Sequence, residues 1–161
     1  IAFLAKRLND KKRQPMIRHG QLADVSSLAT LAQELWPNHT VDTLEKEIKQ
    51  AITKPNVAFV LAFTENQPIA FAQCQLRHDY VEGTNSSPVG YLEGIYVRQR
   101  YRQQGIAGEL LTACQTWAKH NYCTEFASDC EIENNMESLK FHLSHGFIEA
   151  NRLICFSKQL T

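Results

Sequence analysis

The chain carries no excess of charge: 17 Lys and Arg balance 17 Asp and Glu, for a formal net charge of zero over 161 residues. A neutral molecule has no overall field to draw in a nucleic acid or an anionic membrane, so any electrostatic recognition must be local. No apolar run approaches the roughly 20 residues that span a bilayer. The basic opening stretch IAFLAKRLNDKKRQP lacks the apolar segment of a signal peptide. There is no C-x-x-C pair, and the five cysteines (Cys74, Cys114, Cys123, Cys130, Cys155) are odd in number, which points to reduced thiols and a cytoplasmic protein. His142 and His145 have no cysteine or acidic partner in a zinc-binding pattern, so no metal is expected. Neither G-x-x-x-x-G-K-[ST] nor G-x-G-x-x-G occurs, which excludes a Walker loop and the Rossmann fingerprint.

What is present is enough for one core. Hydrophobic residues make up 43% of the chain, and the length suits a single domain over residues 16–161 behind an N-terminal extension, 1–15, of unassigned role. A short strand is expected at Met16–His19. Next comes a helix from Asp24 to Trp36, with Val25, Leu28, Leu31, Ala32 and Leu35 at helical spacing behind an aspartate cap. A second helix is expected from Thr40 or Asp42 to Thr53. NVAFVLAFT (56–64) and PIAFAQCQLRH (68–78) read as an antiparallel hairpin. The loop DYVEGTNSSP (79–88) leads to a strand at 89–97. A helix at 105–120, a strand at 123–128, a helix at 135–145 and a last strand at 147–160 complete the order β-α-α-β-β-β-α-β-α-β. This is an α/β (α+β) fold whose mixed sheet is mostly antiparallel, with one parallel crossover in its second half.

RQRYRQQGIAGELL (98–111) sets three arginines before a glycine that opens a helix. A helix start carries unpaired N–H groups and the positive end of the macrodipole, so it suits an anion, a phosphate first of all. The stretch Arg102-Gln103-Gln104-Gly105-Ile106-Ala107, between a strand and a helix, matches R/Q-x-x-G-x-G/A and resembles the acyl-CoA loop of the GCN5-related N-acetyltransferases. The resemblance implies that fold, acetyl-CoA as cofactor, and its diphosphate held by Arg102, Gln103, Gln104, Gly105, Ile106, Ala107 and Gly108. Downstream, Asn135-x-x-Ser138-x-x-Phe141-His142-x-x-x-Gly146-Phe147 is similar to the family's later motif, which implies that Asn135 and Ser138 meet the pantetheine arm. This chain departs from that motif in having His142 where a tyrosine commonly protonates the leaving thiolate. A histidine there can donate a proton or merely position the sulfur. The strand YLEGIYV resembles the family's fourth strand; the backbone of Ile95, Tyr96 and Val97 would hold the acetyl group, and Gly94 would sit at a bulge.

The segments SSPVGYLEGIYV, WAKHNYCTEFASD and FSK look like those of aminoglycoside 6'-N-acetyltransferases, across Asp79 to Lys158. That likeness implies direct attack of an aminoglycoside amine on the thioester in a ternary complex, and a homodimer. The acids agree with a cationic acceptor. Between Cys123 and Ser138 stand Glu125, Asp129, Glu131, Glu133 and Glu137 with no Lys or Arg, and the loop before the fourth strand adds Asp79 and Glu82. An ammonium must lose a proton before it attacks, so Asp129 is the first candidate base and Glu93 the second. Asp79, Tyr80, Glu82, Glu93, Asp129 and Glu137 are the candidate acceptor contacts. A polyamine or a protein amine is the alternative acceptor. A non-catalytic acyl-CoA-binding sensor is the alternative of another class.

Overall fold

The computed structural model describes residues 14–161, so most of the extension at 1–15 lies outside the described residues. Five strands form one sheet in the order β1-β2-β3-β4-β5: β1 (Met16–His19), β2 (Val57–Thr64), β3 (Gln67–Arg77), β4 (Val89–Val97) and β5 (Phe126–Ser128). The first four pair antiparallel and β5 joins β4 in parallel. The helices are α1 (Val25–Leu35), α2 (Val41–Ala51), α3 (Ile106–His120) and α4 (Met136–Ser144).

Strand alternation divides the core into two layers. Val60, Ala62, Ala70, Ala72, Cys74 and Leu92 face α3, where they meet Ile106, Leu110, Leu111 and Cys114. Phe59, Leu61, Phe63 and Phe71 face the other way, onto Leu28, Leu31 and Ala32 of α1 and Leu44 and Ile48 of α2. The β2–β3 turn is tighter than the three-residue connection expected from sequence: Glu65 (φ 51°) and Asn66 (φ 64°) make it alone, and Gln67 already pairs with Thr64.

Two local expectations are corrected. Asp24 precedes α1 but makes no side-chain cap to it. Its carboxylate is drawn to the Arg18 guanidinium at 2.7 and 2.9 Å and accepts the Gln21 N–H at 2.8 Å, a geometry worth more than a single capping bond. The expected last strand at 147–160 is not formed. Residues 148–161 carry no secondary structure and leave Ile148, Leu153, Ile154, Phe156 and Leu160 about four-fifths or more exposed. Strand propensity yields a strand only where a partner edge supplies hydrogen bonds, and among the described residues the segment pairs with none.

Candidate active site

Strands β4 and β5 part company early. Only Gly90–Phe126, Tyr91–Ala127 and Leu92–Ser128 pair, so the carboxyl half of β4, through Ile95, Tyr96 and Val97, leaves a wedge on its β5 side. The wedge starts at a bulge: Gln73 opposes Gly94 and Cys74 opposes Leu92, leaving Glu93 as the extra residue. The bulge thus falls at Glu93, one residue before the expected Gly94, which has a packing role instead. A Cβ there would lie 2.7 Å from the Trp36 ring, which needs the space to pack edge-on against Phe71.

At one end of the wedge is the loop that begins α3. Gly105 has φ 82° and nothing within 4 Å of where a Cβ would be, so it needs glycine for its backbone conformation and leaves an open cradle. Gln103 is also left-handed, with φ 57°. Ile106 is buried and anchors the helix start to the core, while the first-turn amides of Ile106, Ala107 and Gly108 have no carbonyl one turn earlier to accept them. Gly108 is small for a different reason: a Cβ there would come within 2.9 Å of His145 Nε2. Arg102 donates through Nε to the Val97 carbonyl at 2.8 Å, tying the loop to the end of β4, and its Nη1 lies 3.4 Å from Glu137. Gln104 donates to the Arg100 carbonyl at 3.4 Å. The open glycine, successive backbone N–H groups and adjacent guanidinium fit a diphosphate.

At the apex of the wedge is His142. Its Nε2 is 2.9 Å from the Ser128 hydroxyl, which itself lies 3.2 Å from the Leu92 carbonyl. Nδ1 is 2.7 Å from the Ser138 carbonyl, an acceptor only, so the proton of a neutral ring belongs on Nδ1 and Nε2 accepts from Ser128. The ring packs edge-on against Phe141 and Phe147. Asn135 precedes α4 and makes no cap bond with its side chain.

A polar cluster lies on the α1/α2 face of the sheet, where β4 and β5 separate. Arg77 grips Glu93 through Nε at 3.1 Å and Nη2 at 2.8 and 3.0 Å, and its guanidinium carbon is 3.4 Å from the Tyr91 ring centroid. The Tyr91 hydroxyl donates to Asp129 at 2.8 Å. Burial, then the neighbouring Asp129 carboxylate, pushes the Tyr91 phenol well above its ordinary range, so it remains a donor at any physiological pH. Glu93 also borders a cleft of about 290 Å³ lined by Trp36, His39, Glu47 and Gln73 among others.

The remaining candidates are dispersed. Asp79, Tyr80 and Glu82 are exposed on the 78–88 loop, with the Tyr80 hydroxyl donating to Glu82 at 3.0 Å. Glu125 pins this loop by accepting from the Asn85 amide (2.8 Å) and the Ser86 hydroxyl (2.6 Å), and these bonds hold its carboxyl below the usual range. Glu137 lies beside Arg102. Arg77, Tyr91 and Ser128 were missed from sequence. Gln73, Gln75 and Arg77, polar at every second position of an otherwise apolar strand, were the available signal for a functional patch.

The model of the acetyltransferase (GNAT) family matches residues 24–147. An aminoglycoside N(6')-acetyltransferase type 1 of Acinetobacter baumannii is 41% identical over 145 residues, covering 89% of this chain and 96% of its own. The enzyme of that name from Serratia marcescens is 39% identical over 131 residues, 81% and 89% of the two chains. Among solved structures, AAC(6')-Iy bound to the bisubstrate analogue CoA-S-monomethyl-acetylneamine superposes with a TM-score of 0.86 at 35% identity, covering 91% of this chain and 99% of that one. AAC(6')-Iy in complex with CoA gives 0.88 at 34%, over 95% and 100%. With a splayed β4–β5 pair, an anion cradle at the start of α3 and relatives matched along nearly their whole length, the chain belongs to the GNAT family of acetyl-CoA-dependent N-acetyltransferases.

Proposed function

We propose that the protein is an aminoglycoside 6'-N-acetyltransferase that moves the acetyl group of acetyl-CoA to a primary amine of the antibiotic within a ternary complex. The observation that carries this reading is the pairing of Asp129 with the Tyr91 hydroxyl beside Glu93, where β4 and β5 part. The names of the relatives and the bisubstrate analogue bound to AAC(6')-Iy support the same acceptor.

Acetyl-CoA supplies a thioester carbonyl open to nucleophilic attack. The α3 cradle and Arg102 hold the diphosphate, and Asn135 and Ser138 line the pantetheine path. Amides from the Ile95–Val97 stretch orient the acetyl oxygen. Asp129 binds the acceptor ammonium and takes its proton, directly or through water, with Tyr91 fixing the carboxylate. Both Glu93 oxygens are engaged by Arg77, which leaves Asp129 the freer carboxylate to take the proton and Glu93 to help hold the acceptor. In its imidazolium form His142 carries a proton on Nε2, which it turns from Ser128 to the departing sulfur and delivers there. Holding amine and thioester together supplies much of the acceleration. Asp79, Tyr80 and Glu82 form the outer rim toward the amino sugars, whereas Glu137, expected among these contacts, stands beside Arg102 at the diphosphate end.

The protein acts as a homodimer in the cytoplasm. The exposed apolar run at 148–161 and the outer edge of β5, unpaired among the described residues, support association with a second copy. Five cysteines without a disulfide support the reducing compartment. The function is tested by thiol release from acetyl-CoA with kanamycin, tobramycin, spermidine, a lysine peptide or no amine. Turnover confined to drugs with a 6'-amine is expected; turnover with spermidine or the peptide alone contradicts the acceptor, and silence with acetyl-CoA still bound favours a sensor.

A further inference from the structure

We propose that Arg77 is a specificity-determining residue: its guanidinium is a resident cation within the acceptor region that neutralises Glu93 and limits how many substrate ammonium groups the site accommodates. The inference rests on the acceptor assignment above.

Three features carry it. The guanidinium engages both oxygens of Glu93, at 2.8 and 3.0 Å from one nitrogen, in a half-buried pair whose side chains are 36% and 22% exposed. It stacks at 3.4 Å on the ring of Tyr91, the same residue that holds Asp129. It has the features of a cationic ligand: a carboxylate on its edge and an aromatic face beneath it, the arrangement that recognises ammonium groups. Glu93 also lines the cleft with Trp36 and Glu47, so the carboxylate that Arg77 holds borders open space.

The electrostatic consequence is simple. With Arg77 in place, Asp129 is the uncompensated acid of the Glu93–Tyr91–Asp129 cluster; without it, two carboxylates stand uncompensated. A resident positive charge repels every incoming ammonium, and the repulsion grows with each further ammonium inside the Debye length. Arg77 thus lowers affinity for the most highly charged acceptors and narrows the range of affinities between acceptors of low and high charge. It positions Glu93 and does not touch the reacting atoms.

The test compares wild type with Arg77→Gln and Arg77→Lys. Acceptor KM is measured across aminoglycosides of rising amine number, at low salt and at about 0.5 M, where the Debye length falls to roughly 4 Å. For Arg77→Gln, acceptor KM falls by about twofold for each added ammonium, the advantage shrinks at high salt, and the acetyl-CoA KM stays unchanged. Arg77→Lys keeps the wild-type trend with charge. Glu93→Gln, which leaves Arg77 unpaired, shifts acceptor KM upward, most for the most charged drugs. If Arg77→Gln unfolds, Arg77→Met, which keeps an apolar stem over Tyr91 and removes the charge, is read in its place with the same expected fall in KM per ammonium. A change that is equal for all acceptors or insensitive to salt, or a rise in KM with Arg77→Gln, overturns the inference. Wild-type enzyme inactive on every aminoglycoside overturns the acceptor assignment instead, so the two failures are distinguishable.

Discussion

Asp129 and Glu93 are both carboxylates near the strand splay, yet their surroundings give them different work. Asp129 is exposed and takes one hydrogen bond from a tyrosine that stays protonated, whereas Glu93 is locked against a guanidinium. Asp129→Asn is therefore expected to lower kcat by about 10²-fold or more, with the largest deficit below the pKa of the acceptor amine; an unchanged pH–rate profile removes it as proton acceptor. Tyr91→Phe keeps the ring under Arg77 and loses only the bond to Asp129, so its effect on kcat is smaller. His142→Phe tests the leaving-group role, and a kcat left untouched ends it. Asp129 and Glu93 were legible in sequence as candidates because an ammonium acceptor calls for carboxylates, and His142 because it occupies the tyrosine position of the later motif. Arg77 and Tyr91 were not, because their roles come from pairing across strands 16 and 38 residues apart in the chain.

Single elements owe their shape to a few contacts that can be tested by stability. Gly94→Ala would drive a methyl group into the Trp36 ring at 2.7 Å and is expected to cost about 1–3 kcal/mol, read from urea denaturation. Gly105→Ala meets no atom and strains only a left-handed backbone. It should cost about 1 kcal/mol and raise the acetyl-CoA KM far more than the acceptor KM; equal effects on both would count against the diphosphate cradle. The Arg18–Asp24 pair joins β1 to the start of α1, and the guanidinium holds the Asp24 carboxyl below its ordinary 3.8. A depressed carboxylate adds stability that is fully present above its unfolded pKa and is lost as pH falls through the folded one. Asp24→Asn should therefore destabilise at pH 7 by about 1 kcal/mol, and the gap to wild type should close below about pH 4. The helices were readable from periodicity, since their apolar positions face one layer each, and the central strands from continuous apolar runs that are buried on both faces. The aspartate cap was misread because an arginine six residues earlier in the chain outcompetes a helix N-terminus for the carboxylate.

At the scale of the molecule, the described residues form a two-layered core, and the proposed chemistry lies on the seam where β4 and β5 diverge. The fold order was legible up to α4 because the main strands and helices α1–α3 bury their apolar faces within the chain. The segment after α4 was not, because its apolar residues find no strand partner among the described residues. Removing residues 148–161 is expected to convert a dimer to a monomer in sedimentation, and an unchanged mass would show that these residues do not hold the copies together. The central claim concerns activity, and one measurement tests it most directly: steady-state thiol release from acetyl-CoA by wild type and Asp129→Asn, with kanamycin against its 6'-hydroxyl counterpart. The account predicts rapid turnover by wild type with the 6'-amine alone, largely abolished in the variant. Equal turnover with both drugs, or full activity in Asp129→Asn, would contradict it.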